Sequence, residues 1–336
     1  MLPPLAVLAA LAAAAPAAAA PGHAGRRAAA AAAPAAAGAR ASAPPTAPAS
    51  HVGGCALFPR SSPWHRRVAR LPVPAGSDAM IDAIGRGAPL HADFGSGRWE
   101  GAPIGIPYTV VGRSQRRVPV RFAYADESDR GPYPIPPRAP VEGGRSADGD
   151  RHVIVVQRGT CRLFELFDAR PVAGGRSWTA GSGATWSLRT TRLRPFGWTS
   201  ADAAGLPILP GLARWPEVRA GRIDHALRIT VPRTRRAAIA PARHVASSLT
   251  DPSLPAMGQR LRLKASVDLG RFPRQARVVL RALREFGAIV ADHGSAWYVS
   301  GAPDRHWRNA DLHSLGRLTG GDLEVVATGD RARVPR

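Results

Sequence analysis

Polar and apolar residues alternate with a period of two over several short runs of this chain. In VPVRFAYA (118–125), Val118, Val120, Phe122 and Tyr124 fall on one side and Pro119, Arg121 and Ala123 on the other, the pattern of a half-buried strand. IPYTVVG (106–112) precedes it across the polar segment RSQRR, so the two predict a hairpin. A second hairpin is predicted from HVIVV (152–156), a QRGT turn containing Gly159, and CRLFELF (161–167). In its second strand Leu163, Glu165 and Phe167 share one face and Arg162, Phe164 and Leu166 the other. Trp186 and Leu188 mark a further extended piece, and RIDHALRITV (222–231) and QRLRLKASV (259–267) two more. In the last of these Leu261, Leu263, Ala265 and Val267 oppose Arg260, Arg262 and Lys264, which predicts one packed face and one cationic face beside a groove or solvent.

The period changes only near the C-terminal side. PRQARVVLRALREFG (273–287) starts at a proline, sets Val279, Leu280, Leu283 and Phe286 at helical spacing and ends at Gly287, a C-terminal helix signal. Strands AIVAD and AWYVSG, a short helix near 310–318 and a last strand LEVVAT follow. The sum is a mainly β domain, sandwich or jelly-roll-like, with a small α+β element over about residues 270–330.

One stretch follows neither period: GWTSADAAGLPILPGL (197–212). A connection this long without structure of its own is usually functional or disordered. Trp198, Leu206, Ile208, Leu209, Leu212 and Trp215 make it too apolar to stay solvated. It is expected to pack, with Thr199, Ser200 and Asp202 as a polar tip and Trp198 as a sugar-stacking platform; the structural alternative is an Ω-loop whose Asp202 caps a turn.

The Ala-rich start adds a compartment. Leu5 to Ala15 form an apolar core and Ala17 to Ala20 offer small-residue cleavage sites, so residues 1–20 are expected to be a signal peptide, although no Lys or Arg precedes the core. Residues 21–50 are expected to be an Ala/Pro-rich linker and 51–336 a single secreted or periplasmic domain without a transmembrane segment. Cys55 and Cys161 would meet an oxidising compartment, as a disulfide or as two buried thiols. The net charge is +22, yet Lys264 is the one lysine among 46 basic residues and the arginines are scattered along the chain. Charge of this kind suits adhesion to anionic polymers, whereas specific nucleic-acid recognition lacks any motif here.

Strictly spaced catalytic signatures are absent: no H-E-x-x-H, no G-x-S-x-G, no Walker loop and no G-x-G-x-x-G. The Pro- and Gly-rich stretch 124–150 instead gathers Asp126, Glu127, Asp129, Glu142, Asp148 and Asp150. Paired carboxylates are what glycoside hydrolysis needs, several oxygens would suit Ca²⁺, and a solvated turn is the plain alternative. His91 with Asp93 and Asp150 with His152 form H-x-D and D-x-H pairs suited to a metal or an oriented base. His225 shares the inward side of its strand with Ile223 and Leu227, and His244 lies in ARH. For each histidine an ordinary hydrogen-bonded structural role is the alternative.

The ordered motifs HADFG, GIPY, ESD-x-GPYPIP with EGG, GDRHV with CRLFELF, GSGA, GWTSADAAGLPI-x-PGL, DHALR, PARH and RLKASVD together resemble a family of secreted bacterial proteins of unassigned function. The similarity covers most of residues 55–328. It implies export and one integrated domain, and it carries over no catalytic residue; SSPWHRR (61–67) departs from the NPWN-like segment expected there.

These readings converge on a secreted carbohydrate-active protein that hydrolyses an extracellular polysaccharide. Asp202, Glu142, Glu127, Asp129 and His225 are its catalytic candidates, and Trp198, Arg262 and His244 its substrate-binding ones. A non-catalytic envelope or matrix protein binding anionic glycan is the alternative. A metal-dependent hydrolase using His91, Asp93, His152 or His225 is the third.

Overall fold

The strand Val153–Gln157 is buried at all five positions, and its alternation explains how. Ile154 and Val156 enter the larger of two main apolar clusters, while Val153 and Val155 enter the other. A strand with both faces covered needs no polar face. This strand lies inside a four-stranded sheet of order Ser182–Ser187, Arg162–Phe167, Val153–Gln157, Tyr108–Val111. The first two pairings are antiparallel and the third parallel. The computed structural model describes residues 50–335; the expected signal peptide and all but the last residue of the expected linker lie outside them.

The larger cluster also takes in a six-stranded mixed sheet. Its order is Leu323–Val325, Arg260–Leu263, Ala288–His293, Leu227–Val231, Tyr298–Ser300, His91–Asp93. The helix Arg274–Glu285 buries Val279, Leu280 and Leu283 in the same cluster. It ends where the sequence predicts: Gly287 has φ +72°, and a Cβ there would meet the Leu261 carbonyl oxygen at 2.1 Å, so only glycine fits. The helix Asn309–His313 and the turn after it complete a small helical element. The protein is thus mainly β with a minor α contribution.

Two expectations about pairing and exposure are corrected. The 108–111 and 120–122 strands do not form a hairpin; each pairs in parallel with a later strand, the second with Ser177–Ala180 in a separate three-stranded sheet. Alternation marks a strand but does not choose its partner. Nor is the 259–267 segment cationic toward a groove. Arg260 donates to the carbonyls of Phe286 at 2.7 Å and Pro63 at 2.8 Å, and Arg262 to Glu324 at 2.7 Å and Val68 at 2.6 Å. The arm 63–71 covers that face, and the guanidinium groups satisfy its carbonyls.

The aperiodic run 197–212 does pack. Leu206, Ile208, Leu209 and Leu212 are buried in the larger cluster, and the fully buried Glu165 of the 162–167 strand accepts the Ile208 and Leu209 amides at 2.8 and 2.9 Å. The run is a strap through the core. Its supposed polar tip is internal, since Ser200 and Asp202 are also buried. Cys55 and Cys161 form a disulfide with Cα atoms 5.4 Å apart, tying the N-terminal arm to the four-stranded sheet.

Candidate functional site

The edge strand His91–Asp93 leaves one side of the six-stranded sheet open, and three other segments wall the space beside it. They are a hairpin of Arg98–Trp99 with Ala102–Pro103, the loop 142–151, and the helix Asn309–His313. Together they enclose a cleft of about 980 Å³. The hairpin turns through Glu100 at φ +50° and Gly101 at φ +82°, the left-handed pair of a tight two-residue turn. It presents Trp99 with 72 % of its surface exposed. At the opposite wall the His91 ring stacks on Tyr298, centroids 4.2 Å apart.

The lining is acidic in a strongly basic protein. Asp93, Glu100, Glu142, Asp148 and Asp150 all face the cleft. Arg151 lines it as well, but its guanidinium donates to the backbone carbonyls of Ala147 at 2.5 Å and Ala169 at 3.2 Å. The Asp93 side chain stays exposed on the edge strand, but the surrounding cleft walls desolvate its carboxyl and raise it above its ordinary range, with the Glu142 charge adding and His91 and Arg228 opposing. Glu142 goes the other way. Burial works to raise it, but the His152 charge and hydrogen bond, with Arg228 behind, outweigh burial and hold it below the usual carboxylate range. Two carboxylates in one cleft are thereby driven apart in acidity. Burial lowers His91, against the pull of Asp93.

Behind the cleft floor lies a buried ionic layer. Arg228 donates to Asp202 at 3.1 and 3.2 Å, to Asp292 at 2.6 Å and to the Ser300 hydroxyl at 2.8 Å. Burial pushes Asp202 up to about 7, with Arg228 pulling it back and Asp292 pushing it further. His152, hydrogen-bonded to Glu142, lies close enough to this layer for its charge to act on Asp202 and Asp292.

No family model, no curated protein and no solved structure matches this chain. The site therefore has to be read from its own residues. Of those singled out in the sequence, Glu142, His91 and Asp93 meet in the cleft, along with Asp148 and Asp150. Asp202 does not reach it: its carboxylate has no exposed surface and is held by Arg228, so it supports the site from behind. Glu127 and Asp129 face elsewhere. Glu127 accepts the Thr199 amide at 2.9 Å, and Asp129 takes Arg194 at 2.6 Å and the Thr185 amide at 2.8 Å, bracing the start of the strap.

His225 is buried with its ring nitrogens against the Ala226 carbonyl at 2.8 Å and Glu217 at 3.1 Å, and His244 Nδ1 donates to the Ala203 carbonyl at 2.8 Å. Trp198 carries the Arg194 guanidinium 5.4 Å over its ring, which occupies one face of the expected platform. Arg262 is committed to its clamp. None of these four lines the cleft, and His225, His244 and Arg262 are held by protein partners where they stand.

For a metal, among the described residues no three His, Cys, Asp or Glu side chains are grouped to hold an ion. Both His152 ring nitrogens are engaged by protein acceptors, which removes it as a ligand. Among the described residues the acids of 126–150 likewise form no cluster of three.

Sequence reasoning missed Arg228, Asp292, Trp99 and Tyr298. The available signal for Arg228 was a charged residue inside an otherwise apolar run, LRITV, where both faces of the strand are buried. A charge there must be paired.

Proposed function

We propose that the protein is an exported enzyme that hydrolyses a glycan in this cleft, with Asp93 as general acid and Glu142 as the ionised base or nucleophile. The observation that carries the reading is a pair of carboxylates facing one cleft in unlike settings, Glu142 paired with His152 at 2.5 Å and Asp93 on the open edge strand beside His91; the opposed directions of their acidity agree with it. A carboxyl that keeps its proton can protonate the leaving oxygen, and one that stays ionised can activate water or attack the anomeric carbon. The cleft volume suits a small-molecule or sugar-sized ligand, and Trp99 supplies an apolar ring for the face of a sugar.

Charge narrows the substrate. The lining carboxylates repel polyanions, and Arg151, Arg194, Arg260 and Arg262 are spent on protein acceptors. A neutral or amine-bearing glycan fits this cleft better than an anionic one. Export is supported by the signal-like start and by the Cys55–Cys161 bond.

The test is purified protein against a panel of neutral, amine-bearing and anionic polysaccharides, following new reducing ends. Turnover is expected on a neutral or amine-bearing member. Asp93→Asn and Glu142→Gln are each expected to lower kcat by at least about 100-fold, the first at unchanged unfolding temperature and the second with folding verified by circular dichroism, because it also breaks the pair with buried His152. Wild-type kcat should fall as rising pH removes the Asp93 proton and as falling pH protonates Glu142. Silence across the panel from folded protein, or full activity in both variants, would refute the reading.

A further inference from the structure

His152 is buried directly behind Glu142, and the hydrogen-bond geometry fixes its protons. Nε2 lies 2.8 Å from the Ala201 carbonyl oxygen. A carbonyl has no proton to give, so Nε2 carries one. Nδ1 lies 2.5 Å from Glu142 Oε2, which also accepts the His152 backbone N–H at 3.3 Å. One proton lies between Nδ1 and Oε2, and the question is which side holds it.

The surroundings decide. Glu142 and Asp150 favour a cation on the ring and Arg228 opposes one. Asp202, Asp292 and Glu165 also feel the His152 charge, from the strap and the two main sheets. Glu142 in direct contact, with Asp150 behind it, outweighs the more distant guanidinium, so the proton stays on the imidazole. Among the described residues no group donates to Glu142 Oε1, and the side chain keeps 24 % of its surface exposed.

We infer that His152 is a buried imidazolium at neutral pH, a positioning residue that holds Glu142 ionised, pins its Oε2 and leaves Oε1 for the ligand. Burial acts against the cation, yet the Glu142 charge and hydrogen bond outweigh it and raise the histidine to about 9. The strap acquires a use: its Ala201 carbonyl accepts the hydrogen bond from Nε2–H and so fixes the ring. The catalytic consequence rests on the reading of Glu142 given above; the charge state does not.

The first measurement is nitrogen NMR of the full chain labelled with 15N-histidine, followed through a pH titration. Both His152 ring nitrogens are expected to be protonated at neutral pH and to titrate near 9. A neutral ring at neutral pH overturns the inference. In Glu142→Gln the titration should fall by about one to three units, the usual effect of losing an adjacent opposite charge; an unmoved titration overturns the pairing.

His152→Gln and His152→Asn then test the positioning role. The acid limb of kcat/KM should move up by about one unit or more, because Glu142 loses the cation that keeps it ionised. Lower activity with an unmoved acid limb would reduce His152 to a packing residue. An imidazolium in a protein without turnover would support the charge assignment and sink the hydrolase reading alone.

Discussion

Trp99 shows what a single exposed side chain contributes. Five other tryptophans of this chain, Trp64, Trp178, Trp186, Trp297 and Trp307, are buried, whereas Trp99 is held out over the cleft by a tight turn. Burying its face against a sugar recovers apolar area that the fold leaves in water. Trp99→Ala is expected to raise KM by about 10-fold or more, the equivalent of ~1.4 kcal/mol of ring contact, with kcat and the unfolding temperature unchanged. Steady-state kinetics on the glycan found by the panel checks this; an unaltered KM would remove Trp99 from the site. At this scale the sequence singled out some of the residues that line the cleft. Glu142, Asp93 and His91 were visible because catalytic residue types stand out in loops and at strand ends. Asp202 looked equally promising, since nothing in a sequence distinguishes a buried carboxylate paired with an arginine over twenty residues away from a free one.

Among the elements, the strap 197–212 is the least regular and the most constrained. Its two amides at Ile208 and Leu209 are held by Glu165, and burial raises Glu165 to about 7 while those amides, Leu209 before Ile208, pull it down and Asp202 pushes it up. An acid whose folded pKa exceeds its unfolded one stabilises the fold most below the unfolded value, near 4.5, and loses that advantage as pH rises through about 7. Denaturant midpoints measured across this window should therefore fall with rising pH, and Glu165→Gln should flatten the slope. Equal slopes in both proteins would count against a protonated Glu165. The pattern of the chain foretold the 152–167 hairpin and the 274–285 helix well, because both are local. It misjudged 106–125, where each strand's partner lies over forty residues onward and parallel, a choice that no local pattern encodes.

For the molecule as a whole, the mainly β class was legible in the alternating runs, and the disulfide was left open because distance in space is not written in spacing. The Cys55–Cys161 bond spans 106 residues of sequence and restricts the unfolded chain accordingly. Cys161→Ser with Cys55→Ser is expected to cost about 2–4 kcal/mol, read as a lower denaturant midpoint with the slope checked for residual structure. No loss of stability would mean that packing of the arm suffices. Among the described residues no helix is long and apolar enough to cross a membrane.

The edge strand His91–Asp93 has a consequence for the life history of the chain. Its partner is Tyr298–Ser300, so the two sides of one ladder are made more than two hundred residues apart. The ribosome therefore finishes the first carboxylate of the cleft long before it makes the wall against which that carboxylate is set. A nascent or prematurely truncated chain holds Asp93, Glu142 and Trp99 but no closed cleft. The cleft can close only when the last third of the polypeptide has joined the sheet, so the delay is written in the topology.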